Sequence, residues 1–204
     1  MLHFLDIGGV AVFAFSGALE AGRKRMDLFG VLVVALVTAL GGGTLRDLLL
    51  STATPRPIFW FADPFYIYAA LFGGALGFVV SISGHFARRV LLVADAVGLA
   101  VASVIGAQKA LAAGVSVPVV LIMAVMTGVA GGVGRDILCN EVPLVFRPDT
   151  KLYATAALLG GSVFLALHYF AVGSDFASAV AVTAALGLRL IALRWRLALP
   201  VKNS

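Results

Sequence analysis

The sequence predicts an all-α membrane protein of seven transmembrane helices, arranged as two inverted three-helix repeats followed by one C-terminal helix. Three observations lead there. Of 204 residues, 61% are hydrophobic and 12% charged, with a mean hydropathy of +1.06, whereas soluble domains carry roughly 25% charged residues. Apolar stretches of spanning length recur along the whole chain. A glycine-rich motif, GGGTLRD at Gly41 to Asp47, returns in looser form as GGVGRD at Gly131 to Asp136.

The expected spans lie at about 3–22, 28–50, 64–84, 90–112, 116–139, 151–171 and 175–197. The first could be mistaken for a signal peptide, but its basic cluster Arg23-Lys24-Arg25 follows the apolar run instead of preceding it. Pro55 and Pro57 close the second span, and Pro118 suits the first turn of the fifth. Short connections leave no room for a soluble domain, so one membrane domain over 1–204 is expected. Its repeats cover about 3–84 and 90–171.

Positive charge sets the orientation. Arg23, Lys24 and Arg25, Arg88 and Arg89, Arg147 and Lys151, and Arg194, Arg196 and Lys202 follow the odd-numbered spans. Arg56, and Lys109 near the end of span four, fall on the other side. The N-terminus is therefore expected outside and the C-terminus in the cytoplasm of a multi-pass inner-membrane protein. The formal charge of +5 is spent on these span ends, which argues against nucleic acid. Cys139 is the single cysteine, and His3, His85 and His168 are scattered. No metal motif, cofactor or enzymatic constellation emerges.

A shift of 89 residues sets Asp6 on Asp95, Gly17-Ala18 on Gly106-Ala107, Thr38 on Thr127, Gly42-Gly43 on Gly131-Gly132 and Arg46-Asp47 on Arg135-Asp136. With slight slips in register, Pro57 meets Pro143, Asp63 meets Asp149 and Tyr66 meets Tyr153. Three spans per copy place the second copy in the membrane upside down. In such inverted repeats the working site lies near the midplane, and glycine-broken segments point to it.

Glycine costs a helix roughly 1 kcal/mol relative to alanine, and an ionisable residue at membrane depth at least about 2.5 kcal/mol. Spans two and five carry both. The expectation is that their helices unwind at the glycines and free backbone carbonyls for a cation, with Thr38, Thr44 and Thr127 adding hydroxyls. Close helix packing is the alternative use, preferred for Gly73, Gly74, Gly160 and Gly161. Arg46-Asp47 and Arg135-Asp136 either pair across the repeats as a lock or set the electrostatic barrier of a pore. Asp6 and Asp95 cap their helices or line the mouths of a path. Glu20 and Lys109 read as snorkelling side chains, with Ser16 one turn from Glu20 on the same route. Trp60, Tyr66, Tyr68 and Tyr153 read as an aromatic belt without chemistry.

Both motifs, together with SGALEAGRKRMDLFG at Ser16 to Gly30, NEVPLVFR at Asn140 to Arg147 and LYATAALLGG at Leu152 to Gly161, resemble the bacterial branch of the trimeric intracellular cation (TRIC) channel family. Bacterial members are also known as carrying a glycine-transporter-type domain. The resemblance implies a homotrimer with an ion path in each protomer, lined by kinked second and fifth helices and used by monovalent cations, chiefly potassium, with sodium as a second candidate. Carried onto this chain, the pathway residues are Gly41, Gly42, Gly43, Gly131, Gly132 and Gly134. Animal members have a basic residue before Glu-Val that is linked to lipid and voltage response; Asn140 stands there in this sequence. Membrane lipid remains an expected partner. The functional expectation is a passive potassium-permeable channel. A secondary transporter of a small solute such as glycine is the alternative, and a non-conducting scaffold the third reading.

Overall fold

The structure, a computed structural model, describes residues 2–82, 87–147 and 152–195. His85, named above among the scattered histidines, and Asp149, Lys151, Arg196 and Lys202, used for register and orientation, lie outside them. The described residues form α1 (Leu2–Arg23), α2 (Leu28–Leu50), α3 (Phe59–Ala62), α4 (Phe65–Ile82), α5 (Ala87–Ala112), α6 (Val117–Leu138), a 3-10 turn (Leu144–Phe146), α7 (Tyr153–Tyr169) and α8 (Ser174–Trp195). Each expected span carries a helix. Five are long and apolar enough to cross a membrane, while α4 and α7, with 18 and 17 residues, fall at the short end of the spanning range of about 17–25. Helix α3 was not expected.

Local chemistry fixes the ends. Asp27 caps α2 by accepting the Gly30 N–H at 2.8 Å, and Pro118 sits in the first turn of α6. Helix α1 packs against α2, α4 and α5, α5 against α6, α7 and α8, and α2 crosses α6. Gly9 lies against Val101, Gly98 against Phe13, and Asp6 beside Lys109. Residue numbers rise on α1 as they fall on α5, so these helices run antiparallel. The same holds for α2 and α6, where Gly42 meets Thr127 and Gly131 meets Thr38.

Small residues set the packing distances. A β-carbon at Gly73 would strike the Ala11 carbonyl and one at Gly77 the Phe15 carbonyl, both on α1. Gly74 faces Ala35, Gly160 faces Ala185 and Gly161 faces Ala124. The packing role expected for Gly73, Gly74, Gly160 and Gly161 is the one observed. Phe29, Phe72, Val79, Phe176 and Trp195 stay exposed on the outer surface, where lipid would lie.

One expectation is overturned here. Helices α2 and α6 run unbroken through Gly41–Gly43 and Gly131–Gly134, so no carbonyls are freed by unwinding. Each peptide group leaving the ladder in an apolar medium would cost several kcal/mol, more than the roughly 1 kcal/mol a glycine takes from a helix. The glycines serve instead to bring two intact helices together.

Candidate functional site

At the crossing of α2 and α6 the contacts are reciprocal. A β-carbon at Gly42 would collide with the Thr127 carbonyl oxygen, and one at Gly131 with the Thr38 carbonyl oxygen. Only a hydrogen fits at either point. Thr38 and Thr127 each donate their hydroxyl to a carbonyl one turn back, Val34 and Met123, both at 2.6 Å. Their oxygens keep acceptor capacity. Helices α1 and α5 press on these threonines through Gly17 and Gly106, whose β-carbons would lie 2.5 Å and 2.6 Å from the threonine Oγ1 atoms.

The Arg-Asp motifs close on themselves instead of across the repeats. Arg46 Nε donates to Asp47 Oδ1 at 2.7 Å, and Arg135 Nε donates to Asp136 Oδ1 at 2.7 Å. The second carboxylate oxygen of each aspartate accepts a backbone N–H from the segment beyond its helix, Phe59 for Asp47 at 2.9 Å and Leu144 for Asp136 at 2.7 Å. The lock between repeats is therefore corrected. Neighbouring residues on one helix place the two charges within reach without the ordering cost of a distant partner, and each aspartate then anchors the start of α3 or of the 3-10 turn.

The arginines part company at their tips. Arg135 Nη1 donates to Asp95 Oδ1 at 2.7 Å and to Ser16 Oγ at 3.3 Å, with Arg135 and Asp95 fully buried. Arg46 makes no matching bond to Asp6: its Nη2 is buried without a protein partner, as are Arg135 Nη2 and Asp95 Oδ2. Tyr66 donates to Asp6 Oδ2 at 2.8 Å, and Tyr153 to Asp95 Oδ1 at 3.2 Å. Both tyrosines are buried, which corrects their reading as an interfacial belt; Tyr68 is exposed as expected.

Two cavities with charged side chains in their linings lie along one face of α1, one at the crossing and one beyond it. One, of about 20 Å³, is lined by Asp6, Gly9, Phe13, Thr38, Gly42, Gly43, Arg46, Phe59 and Thr127 among others. The other, of about 180 Å³, is lined by Glu20, Arg23, Arg88, Arg135, Asp136, Glu141 and Arg147. On α1 the first cavity reaches from Asp6 to Phe13 and the second begins at Glu20, seven residues or about 10 Å further along the helix. Asp6, Gly9, Phe13, Ser16 and Glu20 repeat at three and four residues and share one helix face. Phe13 and Ser16, buried between the cavities, separate them.

The second cavity joins the end of α1, the first turns of α5 and the segment after α6. Glu20 pairs with Arg23 at 2.7 Å instead of reaching into solvent. Glu141 pairs with Lys24 at 2.5 Å and Arg147 at 2.9 Å. The hydrogen bond from Lys24, with the charge of both cations, holds the exposed Glu141 carboxyl below its ordinary range.

Of the expected pathway residues, Thr38, Gly42, Gly43, Arg46 and Thr127 meet at the first cavity, and Arg135 and Asp136 at the second, with Ser16 between. Asp47 stands behind Arg46. Gly131 completes the crossing, while Gly132 backs onto Tyr153 and Gly134 onto Val37. Gly41 and Thr44 line a different feature, an apolar outer groove of about 520 Å³ with Trp60, whose indole N–H donates to Thr44 Oγ1 at 3.0 Å. Their placement follows from the 100° turn per residue, which swings Gly41 away from the face carrying Gly42. Sequence reasoning missed Phe59, with Arg46 and Lys109 over its ring at 5.5 Å and 5.4 Å, and Arg189, buried over the Tyr153 ring at 4.7 Å. The Asp6–Asp95 match at a shift of 89 and the Tyr66–Tyr153 match at 87 were the available signal.

A helical membrane protein whose antiparallel helices cross on glycine beside two cavities with charged side chains in their linings defines the class. A family model described as "Glycine transporter" matches the chain twice, over residues 3–81 and 92–169, recovering the duplication. The inner membrane protein YadS of Escherichia coli (strain K12), assigned to UPF0126, is 44% identical over 98% of this chain and 95% of its own length. A UPF0126 membrane protein of Vibrio cholerae is 43% identical over 98% and 82%. Among solved structures, the TRIC trimeric intracellular cation channel orthologue from Rhodobacter sphaeroides superposes with a TM-score of 0.88 at 38% identity, covering 96% of this chain and 98% of that one. A second TRIC cation channel structure gives 0.84 at 36% identity, covering 99% and 97%. The chain belongs to the glycine-transporter family of membrane proteins, and its fold is that of the TRIC channels. These solved relatives are channels, not enzymes.

Proposed function

We propose that this chain is a passive monovalent cation channel, permeable to potassium, built as a single membrane domain of two inverted three-helix repeats and one further helix. The route runs from the Asp6 cavity, along the α1 face through Phe13 and Ser16, to the cavity of Glu20 and Arg135. The α2–α6 glycine crossing forms its wall. One observation carries this reading: two cavities, each with charged side chains in its lining, lie on the same face of α1, one at the antiparallel crossing and one beyond it, separated by two side chains. Its support from outside the chain is the likeness to TRIC cation channels over nearly the whole sequence. The protomers assemble as a homotrimer, as the Rhodobacter sphaeroides relative does by its description, with lipid around the exposed apolar surface. The Arg23, Arg88 and Arg147 end faces the cytoplasm.

Flux into liposomes carrying the purified protein tests it. Potassium should move down its gradient without a co-substrate, and sodium in the same assay ranks the two cations. Saturable uptake of labelled glycine with no cation leak would replace the channel by a transporter.

A further inference from the structure

At the Asp6 end of the passage, side chains of α1, of α4 and of the turn between α3 and α4 are joined in a line. Asp6, which lines the first cavity, accepts the Tyr66 hydroxyl on Oδ2 at 2.8 Å. The same hydroxyl lies 3.5 Å from His3 Nδ1, and the other ring nitrogen, Nε2, lies 3.3 Å from Asp63 Oδ2. The His3 side chain is 54% exposed, whereas Tyr66 is buried. One end of the line meets solvent and the other meets the cavity.

The second repeat lacks the sensing end. Tyr153 donates to Asp95 as Tyr66 does to Asp6, but under the 89-residue shift His3 falls on Leu92. Lys109 of α5 lies 3.9 Å from Asp6 Oδ2, and Arg46 and Asp47 of α2, with Arg56 beyond that helix, complete the charged groups at this end among the described residues. His3 is the one imidazole among them.

Histidine is the side chain suited to change charge between about pH 5 and 8. A neutral ring that donates Nε2–H to Asp63 presents Nδ1 as an acceptor, which competes with Asp6 for the Tyr66 proton. A protonated ring carries a hydrogen on both nitrogens, so Nδ1 donates to the Tyr66 oxygen and the Tyr66 proton goes to Asp6. Each bond in such a chain polarises the next and strengthens it. The Asp6 carboxylate is then held more tightly, and a positive charge stands at the mouth.

We propose that His3 and Tyr66 form a proton-sensing relay to Asp6, which lowers cation entry in acid. The proposal rests on the channel reading given above and adds a regulator to it.

Single-channel potassium conductance in symmetric solutions of varied pH tests it. Wild type should lose about threefold in conductance between roughly pH 8 and pH 5, as a mouth that gains positive charge admits fewer cations. His3→Gln should stay near the alkaline level throughout. Tyr66→Phe, which keeps the ring but removes the hydroxyl joining His3 to Asp6, should lose the response as well. His168→Gln, at an exposed histidine in the last turn of α7, should retain it. A response that survives in His3→Gln or in Tyr66→Phe, or a wild type with equal conductance across the range, overturns the relay alone. A wild type silent at every pH overturns the channel reading and the relay with it.

Discussion

Arg135 Nη1 and Asp95 Oδ1 stand 2.7 Å apart with both side chains wholly buried, joining α6 to α5 beside Ser16 of α1. Removing one partner strands the other in a medium that cannot solvate it. Asp95→Ala should therefore lower stability by about 3–5 kcal/mol, read as a large fall in the thermal midpoint in detergent. Asp95→Asn, which keeps an acceptor, should fall less.

The glycines at the crossing make a sharper comparison. Gly42→Ala and Gly131→Ala each drive a methyl into a backbone carbonyl that cannot rotate away, so each should cost about 1–3 kcal/mol. Gly41→Ala, with open space around it, should be neutral or gain up to about 1 kcal/mol from helix propensity. Thermal unfolding of the three variants distinguishes packing from an unwound site, because a broken helix would tolerate the first two.

The passage itself is probed at Ser16. Ser16→Leu replaces the hydroxyl that receives Arg135 with a larger apolar group between the two cavities. Potassium flux should drop by about tenfold or more, as a hydrophobic constriction dewets, while the protein still purifies folded. Unchanged flux would move the route elsewhere.

At the Glu20 end, pH reports the Lys24–Glu141 pair, which ties the α1–α2 turn to the chain beyond α6. Because folding depresses the Glu141 pKa below its ordinary value of 4.5, the pair's contribution is present above pH 4.5 and is lost as pH falls through the folded value. Glu141→Gln should therefore lower the midpoint slightly and by a constant amount above that pH, and match wild type in stronger acid. The effect is small because the pair is exposed and screened.

Much of this was legible in the residues. The apolar stretches located the helices, and the 89-residue offset paired Asp6 with Asp95 and Arg46 with Arg135 before any coordinates. What stayed hidden was the use made of each pair. Glycine marks a helix break and a close crossing with the same letters, and only the position of Thr127 against Gly42 decides between them. An Arg-Asp dipeptide likewise says nothing about whether its charges turn to each other or to another helix. Tyr66 and Tyr153 sit near span ends, as belt residues do, yet their hydroxyls point inward to aspartates on helices 60 and 58 residues away in sequence. Lys109 resembled a snorkelling lysine until Asp6 was found beside it.

Unitary currents from wild-type protein in a planar bilayer under a potassium gradient test the central claim most directly. The account predicts single-channel openings whose reversal potential follows the potassium gradient as it is varied. A silent bilayer from protein that accumulates a small solute saturably in vesicles would contradict it.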